Sequence, residues 1–187
     1  KIGNIKLIQA NFSKYSSRYD KFRKGIMTPT FDKACGGGAL MDLNVYNIHF
    51  VVGLFGMPKK VQYYPNLAEN SVDTSGILIM VYPNFQAVCT AAKDSSSDPF
   101  VIIQGEEGTI VYPERPGYVR YGERHDRLTN LTEEIDVVAE EDPMKNEFLY
   151  MQEIIDTKNT EQMNAWLEKS IATVAVLEQA LQSISQG

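Results

Sequence analysis

The chain has 187 residues, of which 43% are hydrophobic and 22% are charged, and its formal net charge is -6. This length suits one well-buried domain better than two, and the composition is that of a soluble globular protein. The acidic residues are dispersed and there is no basic stripe, so neither nucleic acid nor a membrane surface is an expected partner. No uninterrupted apolar run reaches the roughly 18 residues of a membrane span, and the first residues lack a signal-peptide pattern, so we expect a cytoplasmic protein.

The two cysteines, Cys35 and Cys89, are far apart in the sequence. Neither has a second Cys or a His at the spacing that zinc ligands or a disulfide framework would need. We therefore expect two free thiols and no metal site. Small buried residues are the favoured interpretation, because no neighbouring base or cation that would activate a thiol is evident.

The first element in chain order is a strand at residues 5–13, and because the chain does not begin with Met, we expect a fragment of a longer protein. A polar and basic stretch at 14–24 and a loop that ends in three consecutive glycines at 36–38 follow, which indicates a long connection near a site. Residues 38–55 then carry apolar side chains at helical spacing, and a Gly and a Pro end the pattern. This pattern predicts a helix at residues 38–55.

The middle of the chain predicts a series of strands, separated by turns rich in Pro, Asn, Ser and Gly. Short spacers favour antiparallel pairing, because parallel neighbours need a long crossover connection. The predicted strands are 61–64, 74–82, 85–92, 100–104, 109–112, 118–122 and 128–138.

Two helices, at 143–158 and 164–183, are predicted to close the chain. The expected fold is therefore α+β, with one open, mainly antiparallel sheet and helices packed on one face. Residues 77–82 are apolar on both alternate faces, so the second face should meet either another subunit or a covering loop. The apolar face of the last helix is predicted to be formed by Trp166, Leu167, Ile171, Val174 and Leu177.

Three proton-handling residues share one stripe of the helix at 38–55. At about 100° per residue, Asp42, Tyr46 and His49 fall within roughly 60° of one another. The glycines before them allow backbone to approach a ligand closely. Taken singly, each residue also has an ordinary structural interpretation: a helix-stabilising acid, a core tyrosine with a satisfied hydroxyl, and a hydrogen-bonded histidine.

The run at 36–46, GGGALMDLNVY, continued by GLFG at 53–56, resembles the signature that opens the main helix of the second domain in the Gfo/Idh/MocA family. This is the glucose–fructose oxidoreductase and inositol dehydrogenase group. The resemblance extends along nearly the whole chain, through the strand at 5–13, the turn at 105–108 and the residues Asn-Glu-Phe at 146–148. Asn44 is a departure, because many members have Gly there.

The resemblance implies that residues 1–187 are a single C-terminal domain for substrate binding and oligomerisation, similar to the C-terminal domain of glyceraldehyde-3-phosphate dehydrogenase. An N-terminal Rossmann domain, with a lysine near its end, would lie outside this chain and bind NAD or NADP. No Gly-rich phosphate loop occurs here, so no cofactor-binding residue is assigned. A homo-oligomer formed through the open sheet face is also implied.

The implied reaction is hydride transfer between the nicotinamide and a hydroxyl of a sugar, polyol or diol. Tyr46 would take the proton-transfer role and Asp42 would bind or orient the substrate, since a carbinol must lose its hydroxyl proton as the hydride leaves. His49 is expected to contact a substrate hydroxyl. Arg23 could clamp a polar substrate, or be a solvated loop arginine. The chain alone is expected to be inactive.

Two alternatives remain at this stage. The domain could be a non-catalytic binding or oligomerisation module, in which Asp42 and Tyr46 only pack. NAD-dependent glycoside cleavage on a similar scaffold is the other alternative, and it differs because its cycle returns the cofactor to the starting redox state.

Overall fold

A computed structural model describes residues 1–118, 120–136 and 143–184 of the chain. Within these residues, eight strands form one mixed sheet with helices packed against it. The strands are β1 Ile5–Ser13, β2 Lys60–Leu67, β3 Asp73–Val81, β4 Gln86–Ala92, β5 Phe100–Gly105, β6 Gly108–Tyr112, β7 Tyr121–Asp126 and β8 Thr132–Asp136. Their order across the sheet is β2-β3-β4-β1-β5-β6-β7-β8.

The α-helices of the described residues are α1 Ser17–Arg23, α2 Val45–Phe55, α3 Pro143–Thr157 and α4 Thr160–Ile184. A π-helical turn, Leu40–Asn44, runs directly into α2. The helix predicted at 38–55 is therefore confirmed, with a wider first turn than a regular α-helix has. The two closing helices and the α+β class are confirmed as well.

The first strand lies in the middle of the sheet. Ala10 of β1 pairs with Cys89 of β4 on one side and with Val101 of β5 on the other. The β1–β4 pair is parallel, and the other pairs are antiparallel. The prediction of a mainly antiparallel sheet is confirmed, and the one parallel pair is possible because the long segment between β1 and β4 supplies the crossover.

Two predicted strands are misplaced. The strand expected at 118–122 begins at Tyr121 instead, and the described residues 113–118, directly after β6, belong to no strand. The strand expected at 128–138 is shorter, since β8 covers Thr132–Asp136 and residues 137–138 lie outside the described part of the chain. The Pro and Gly in the segment 113–117 explain the first error, because both residues favour turns over strands.

One face of the sheet forms the core together with α2 and α4. The inward side chains of α2 include Ile48, Val51 and Val52, which are fully or almost fully buried. Residue Cys89 of β4 is buried in the same core, whereas Cys35 is exposed, so the prediction of two buried cysteines is wrong for Cys35.

The segment Lys33–Phe55 has the length and apolar composition of a membrane span, but here it is the core helix of the domain and the turns before it.

The last helix packs with a different face from the predicted one. The buried residues of α4 are Thr173, Val176, Leu177, Ala180 and Ser183. Leu177 alone belongs to the predicted stripe, whose other members are at least one third exposed. The helix therefore carries two apolar stripes, and the small side chains Ala180 and Ser183 allow the inner one to approach the sheet closely.

No loop among the described residues closes the opposite face of the sheet. Ile77 of β3 is 47% exposed, and Tyr64, its partner on β2, is 57% exposed. The neighbouring Ile79 and Val88 are paired across β3 and β4 and are half-buried. The described residues therefore leave an apolar sheet face partly open to solvent.

Candidate functional site

The three glycines fix where the main helix begins. Gly38 has a φ of +126°, a conformation that L side chains rarely adopt. The carboxylate of Asp73 accepts hydrogen bonds of 2.7 Å from the Leu40 N–H and from the Tyr63 hydroxyl. Burial raises the pKa of Asp73, and these two hydrogen bonds oppose that rise. A carboxylate from β3 thus caps the helix start and ties the glycine loop to the sheet.

The helix is also fastened to β4 by two buried amides. Asn44 donates to the backbone oxygen of Cys89 at 3.2 Å, and Asn47 donates to the backbone oxygen of Thr90 at 2.9 Å. Asn47 also donates to the Asn44 side-chain oxygen at 2.8 Å. Asn44, the departure from the family pattern, is therefore a structural anchor. Between these two anchored residues, Tyr46 stays exposed to solvent.

Asp42 and Tyr46 are brought together in one open cleft of about 640 Å³. Tyr46 is 51% exposed, and its ring packs edge-on against Phe12 of β1, with 5.8 Å between the ring centroids. Lys14 lines the cleft from the end of β1, and Glu147 lines it from α3. A carboxylate and a phenol therefore face the same solvent-accessible space, as the spacing predicted.

A buried lysine holds the carboxylate. Lys93, the residue directly after β4, has a side chain that is only 4% exposed, and its Nζ forms an ion pair with Oδ2 of Asp42, whose side chain is 53% exposed. Burial lowers the pKa of Lys93 to about 8, and the positive charge of Arg18 adds to this effect. Asp42 acts in the opposite direction, because a nearby negative charge favours the ammonium form.

A loop after β6 closes one side of the cleft. Its Arg115 lies over two aromatic rings, with the guanidinium carbon 5.9 Å from the centroid of Phe12 and 5.3 Å from that of Tyr118. Gly117 passes next to Tyr46, since a Cβ added to it would lie 3.6 Å from the tyrosine ring. Stacked in this way, Arg115 brings a second positive charge to the cleft besides Lys14.

His49 and Arg23 lie elsewhere. Nδ1 of His49 is 3.0 Å from Oγ1 of Thr173, so this ring faces α4 and is not among the described residues that line the cleft. The stripe prediction assumed 100° per residue throughout, and the wider π-helical turn changes the angle between Asp42 and the residues after it. Arg23 is exposed at the end of α1, beside Tyr15. The substrate contacts of His49 and Arg23 stay predictions.

Several residues that line the cleft or lie behind its wall were not found from the sequence. Lys93 had one signal, a charged residue at the end of an otherwise apolar strand, but its partner is 51 residues away. Phe12 and Lys14 come from a strand that was recognised, although its position in the sheet was not. Arg115 lies in a segment next to a misplaced strand.

The fold places the chain in a class of domains that is known from solved structures. In fold, the chain resembles a mutant 3-ketoreductase from Actinomadura kijaniata, solved in complex with TDP-benzene and NADP, with a TM-score of 0.72 and 16% identity. The match covers 97% of this chain and 53% of that one. A likeness at this identity establishes the fold, an α+β domain built on one open mixed sheet.

Sequence comparison then gives the family. Residues 1–111 match the family profile described as the GFO/IDH/MocA C-terminal domain. The chain belongs to the GFO/IDH/MocA family, which confirms the resemblance predicted from residues 36–46.

Two relatives of this chain are dehydrogenases. The chain is 36% identical over 185 residues to scyllo-inositol 2-dehydrogenase (NADP(+)) IolU of Bacillus subtilis (strain 168), covering 96% of this chain and 54% of the relative. It is 28% identical over 115 residues to trans-1,2-dihydrobenzene-1,2-diol dehydrogenase of Danio rerio, covering 60% of this chain and 32% of the relative. The chain thus spans about half of the length of the first of these enzymes.

Proposed function

We propose that this chain is the substrate half of an NAD(P)-dependent oxidoreductase that transfers a hydride between the nicotinamide and a hydroxyl of a sugar, polyol or diol. The observation that carries the proposal is the pairing of Asp42 and Tyr46 in one open cleft of a GFO/IDH/MocA domain. The names of the relatives, an inositol dehydrogenase and a dihydrodiol dehydrogenase, support a hydroxyl compound as the substrate. The NADP in the first name favours NADP over NAD.

Tyr46 is the proposed proton-transfer residue. A carbinol carbon that loses a hydride must also lose its hydroxyl proton, so an acid or base must lie next to it. The phenol of Tyr46 opens onto the cleft, and the edge contact with Phe12 limits the positions of its ring. Lys14 and Arg115 line the same cleft and bring two positive charges to it.

Asp42 is the proposed substrate-orienting residue. Its Oδ2 is engaged by Lys93, and its Oδ1 has no protein partner among the described residues. An ionised carboxylate accepts hydrogen bonds and donates none, so this oxygen suits a substrate hydroxyl. The carboxylate would fix one hydroxyl while the neighbouring carbinol lies against Tyr46.

The cofactor would be bound mainly by a separate N-terminal domain. The described residues offer no strand, Gly-rich turn and helix of the kind that hold a pyrophosphate, but their cleft is open and aromatic, which suits the approach of a flat nicotinamide ring to Phe12 and Tyr46. When bound, NAD(P) accepts or donates the hydride. Residues 1–187 would accordingly form one substrate and oligomerisation domain that is inactive alone.

The test is a turnover assay with the full-length protein, NADP⁺ or NAD⁺, and a panel of inositols, sugars and diols. We expect net reduction of the nicotinamide, and we expect Tyr46→Phe to lower kcat by about 10²- to 10⁴-fold while the cofactor Kd stays constant. Tyr150→Phe is the matched control, because Tyr150 is also exposed but lies on α3 against Trp166. An unchanged kcat in Tyr46→Phe would remove this residue from the mechanism.

The same assay separates the alternatives. Glycoside cleavage without net reduction would favour the glycosidase chemistry. Absence of both turnover and dinucleotide binding in the full-length protein would favour a non-catalytic module. Micromolar affinity of the isolated chain for NADP, measured by calorimetry, would contradict the proposed division of labour between the domains.

We also propose that the open sheet face forms a homo-oligomer. Ile79, Val88 and Ile102 lie in one row across β3, β4 and β5, with Gln9 of β1 between the last two. Exposed apolar surface of this kind is typical of subunit interfaces. Val88→Lys should give a monomer in sedimentation experiments. Ile171→Lys, an exposed site on α4, is the control that should leave the assembly unchanged.

A further inference from the structure

Lys93 is fixed from several sides before any ligand binds. Its backbone N–H donates to the Thr74 oxygen at 2.8 Å, and its backbone oxygen accepts from the Ser16 N–H at 2.9 Å. Its ammonium lies 5.7 Å from the centroid of the Phe31 ring and pairs with Asp42. The position of the charge is therefore set by β3, by the segment before α1 and by an aromatic wall.

This charge is an unfavourable choice for stability alone. Burial penalises the ammonium, as the lowered pKa of Lys93 indicates, and the nearby Arg18 adds repulsion. The attraction to Asp42 opposes this penalty, but it acts on a carboxylate that is half-exposed and screened by water. An uncharged side chain of the same length would fill this place without the penalty. The lysine therefore requires another explanation.

We propose that Lys93 is a positioning residue that holds the Asp42 carboxylate turned toward the substrate cleft. The inference rests on the proposed function and extends it to a residue behind the cleft wall. Lys93 is not among the described residues that line the cleft, and with a 4% exposed side chain it cannot touch a substrate. It acts through Asp42.

The consequence for the substrate follows from the two oxygens of the carboxylate. Lys93 occupies Oδ2 and so limits rotation of the group, which leaves Oδ1 as a fixed acceptor in the cleft. A fixed acceptor selects a substrate that presents a hydroxyl donor at that point. Without the ammonium, the half-exposed carboxylate would turn freely into solvent, and the reacting hydroxyl would lose its alignment with Tyr46.

Lys93→Met in the full-length protein is the central test, because methionine fills a similar volume without charge. We expect the Tm to stay unchanged or to rise, while kcat/KM for the polyol falls by about 10- to 100-fold and the cofactor Kd is unchanged. Lys93→Arg should restore part of kcat/KM. In an Asp42→Asn background, Lys93→Met should cause no further loss of kcat/KM.

Lys6→Met is the matched control. Lys6 forms an ion pair with Glu106 at 2.6 Å, and both side chains are about half exposed, at 54% and 48%. Removal of this surface pair should change neither Tm nor kcat/KM. The comparison separates the loss of a positioned charge from the loss of any lysine.

The outcomes distinguish this inference from the proposed function. A lower Tm with unchanged kcat/KM in Lys93→Met would make the pair purely structural and overturn the inference. If the full-length wild type turns over no hydroxyl compound, the proposed function fails. The crystal structure of Lys93→Met then shows whether Lys93 positions the Asp42 carboxylate. A carboxylate of Asp42 that has left the cleft would support positioning, and one that has not moved would overturn it.

Discussion

Replacement of Gly38 by alanine should strongly destabilise the domain. An added Cβ would collide with Oδ1 of Asp73 and would lie 3.0 Å from its Cγ, at a φ of +126°. Overpacking costs about 1–3 kcal/mol and a strained backbone conformation about 1–3 kcal/mol more, so we expect a loss of about 2–6 kcal/mol. This loss is a large fraction of the about 5–15 kcal/mol by which a domain of this kind is normally stable.

The measurement is urea unfolding of wild type and variant, followed by circular dichroism. Gly53→Ala is the control in the same helix, because nothing lies within 4 Å of a Cβ added at Gly53. Alanine should raise the unfolding free energy there by about 0.5–1 kcal/mol, since it is the better helix former. A Gly38→Ala variant within about 1 kcal/mol of wild type would refute the role given to Asp73 as the fixed cap of the helix.

Three further predictions concern single side chains. His49→Ala should lower the unfolding free energy by about 1 kcal/mol through loss of the contact with Thr173. A fall in kcat without a fall in unfolding free energy would instead support the prediction that His49 contacts the substrate. Burial lowers the pKa of Lys93 from its ordinary value of 10.5 to about 8 in the folded chain. Between these two pH values the unfolded chain binds more protons than the folded chain, so the free energy of unfolding should rise with pH. The difference in unfolding free energy between wild type and Lys93→Met should therefore become smaller as the pH rises over this range. Unfolding experiments at several pH values measure this difference. A thiol reagent should modify the exposed Cys35 at once, but should reach Cys89 only on unfolding, because burial raises the pKa of that thiol to about 12.

The parts of the fold that depend on short-range patterns were predictable. The helix at 38–55 has its apolar residues at helical spacing, and the strands are separated by turn residues that act locally. The central position of β1 was not predictable in this way, because its two neighbours, β4 and β5, lie far along the chain. Pairing at that distance leaves no periodic signal in either strand.

The site was predictable to the extent that it lies on one helix. Asp42 and Tyr46 were found from spacing and from the family signature, and they share a cleft. His49 was grouped with them from helical spacing, but its ring contacts Thr173 of α4 instead. Lys93 and Arg115 come from other elements, so only the folded structure brings them near the helix.

The outer stripe of α4 shows a related effect. Pattern alone selected Ile171 and Val174 as inward residues because they are large and apolar, whereas the helix packs with Thr173 and Ala180. Hydrophobicity identifies residues that prefer burial, but close packing of a helix against a sheet also favours small side chains.

The central position of β1 affects how the domain can be built and divided. Strand β1 alone joins the group β2, β3 and β4 to the group β5 to β8. During synthesis on the ribosome, this joint cannot be completed until the residues of β5 have emerged, long after β1 itself. Expression of this domain must therefore begin before Ile5, since removal of the first strand would separate the sheet into two unconnected parts with exposed edges.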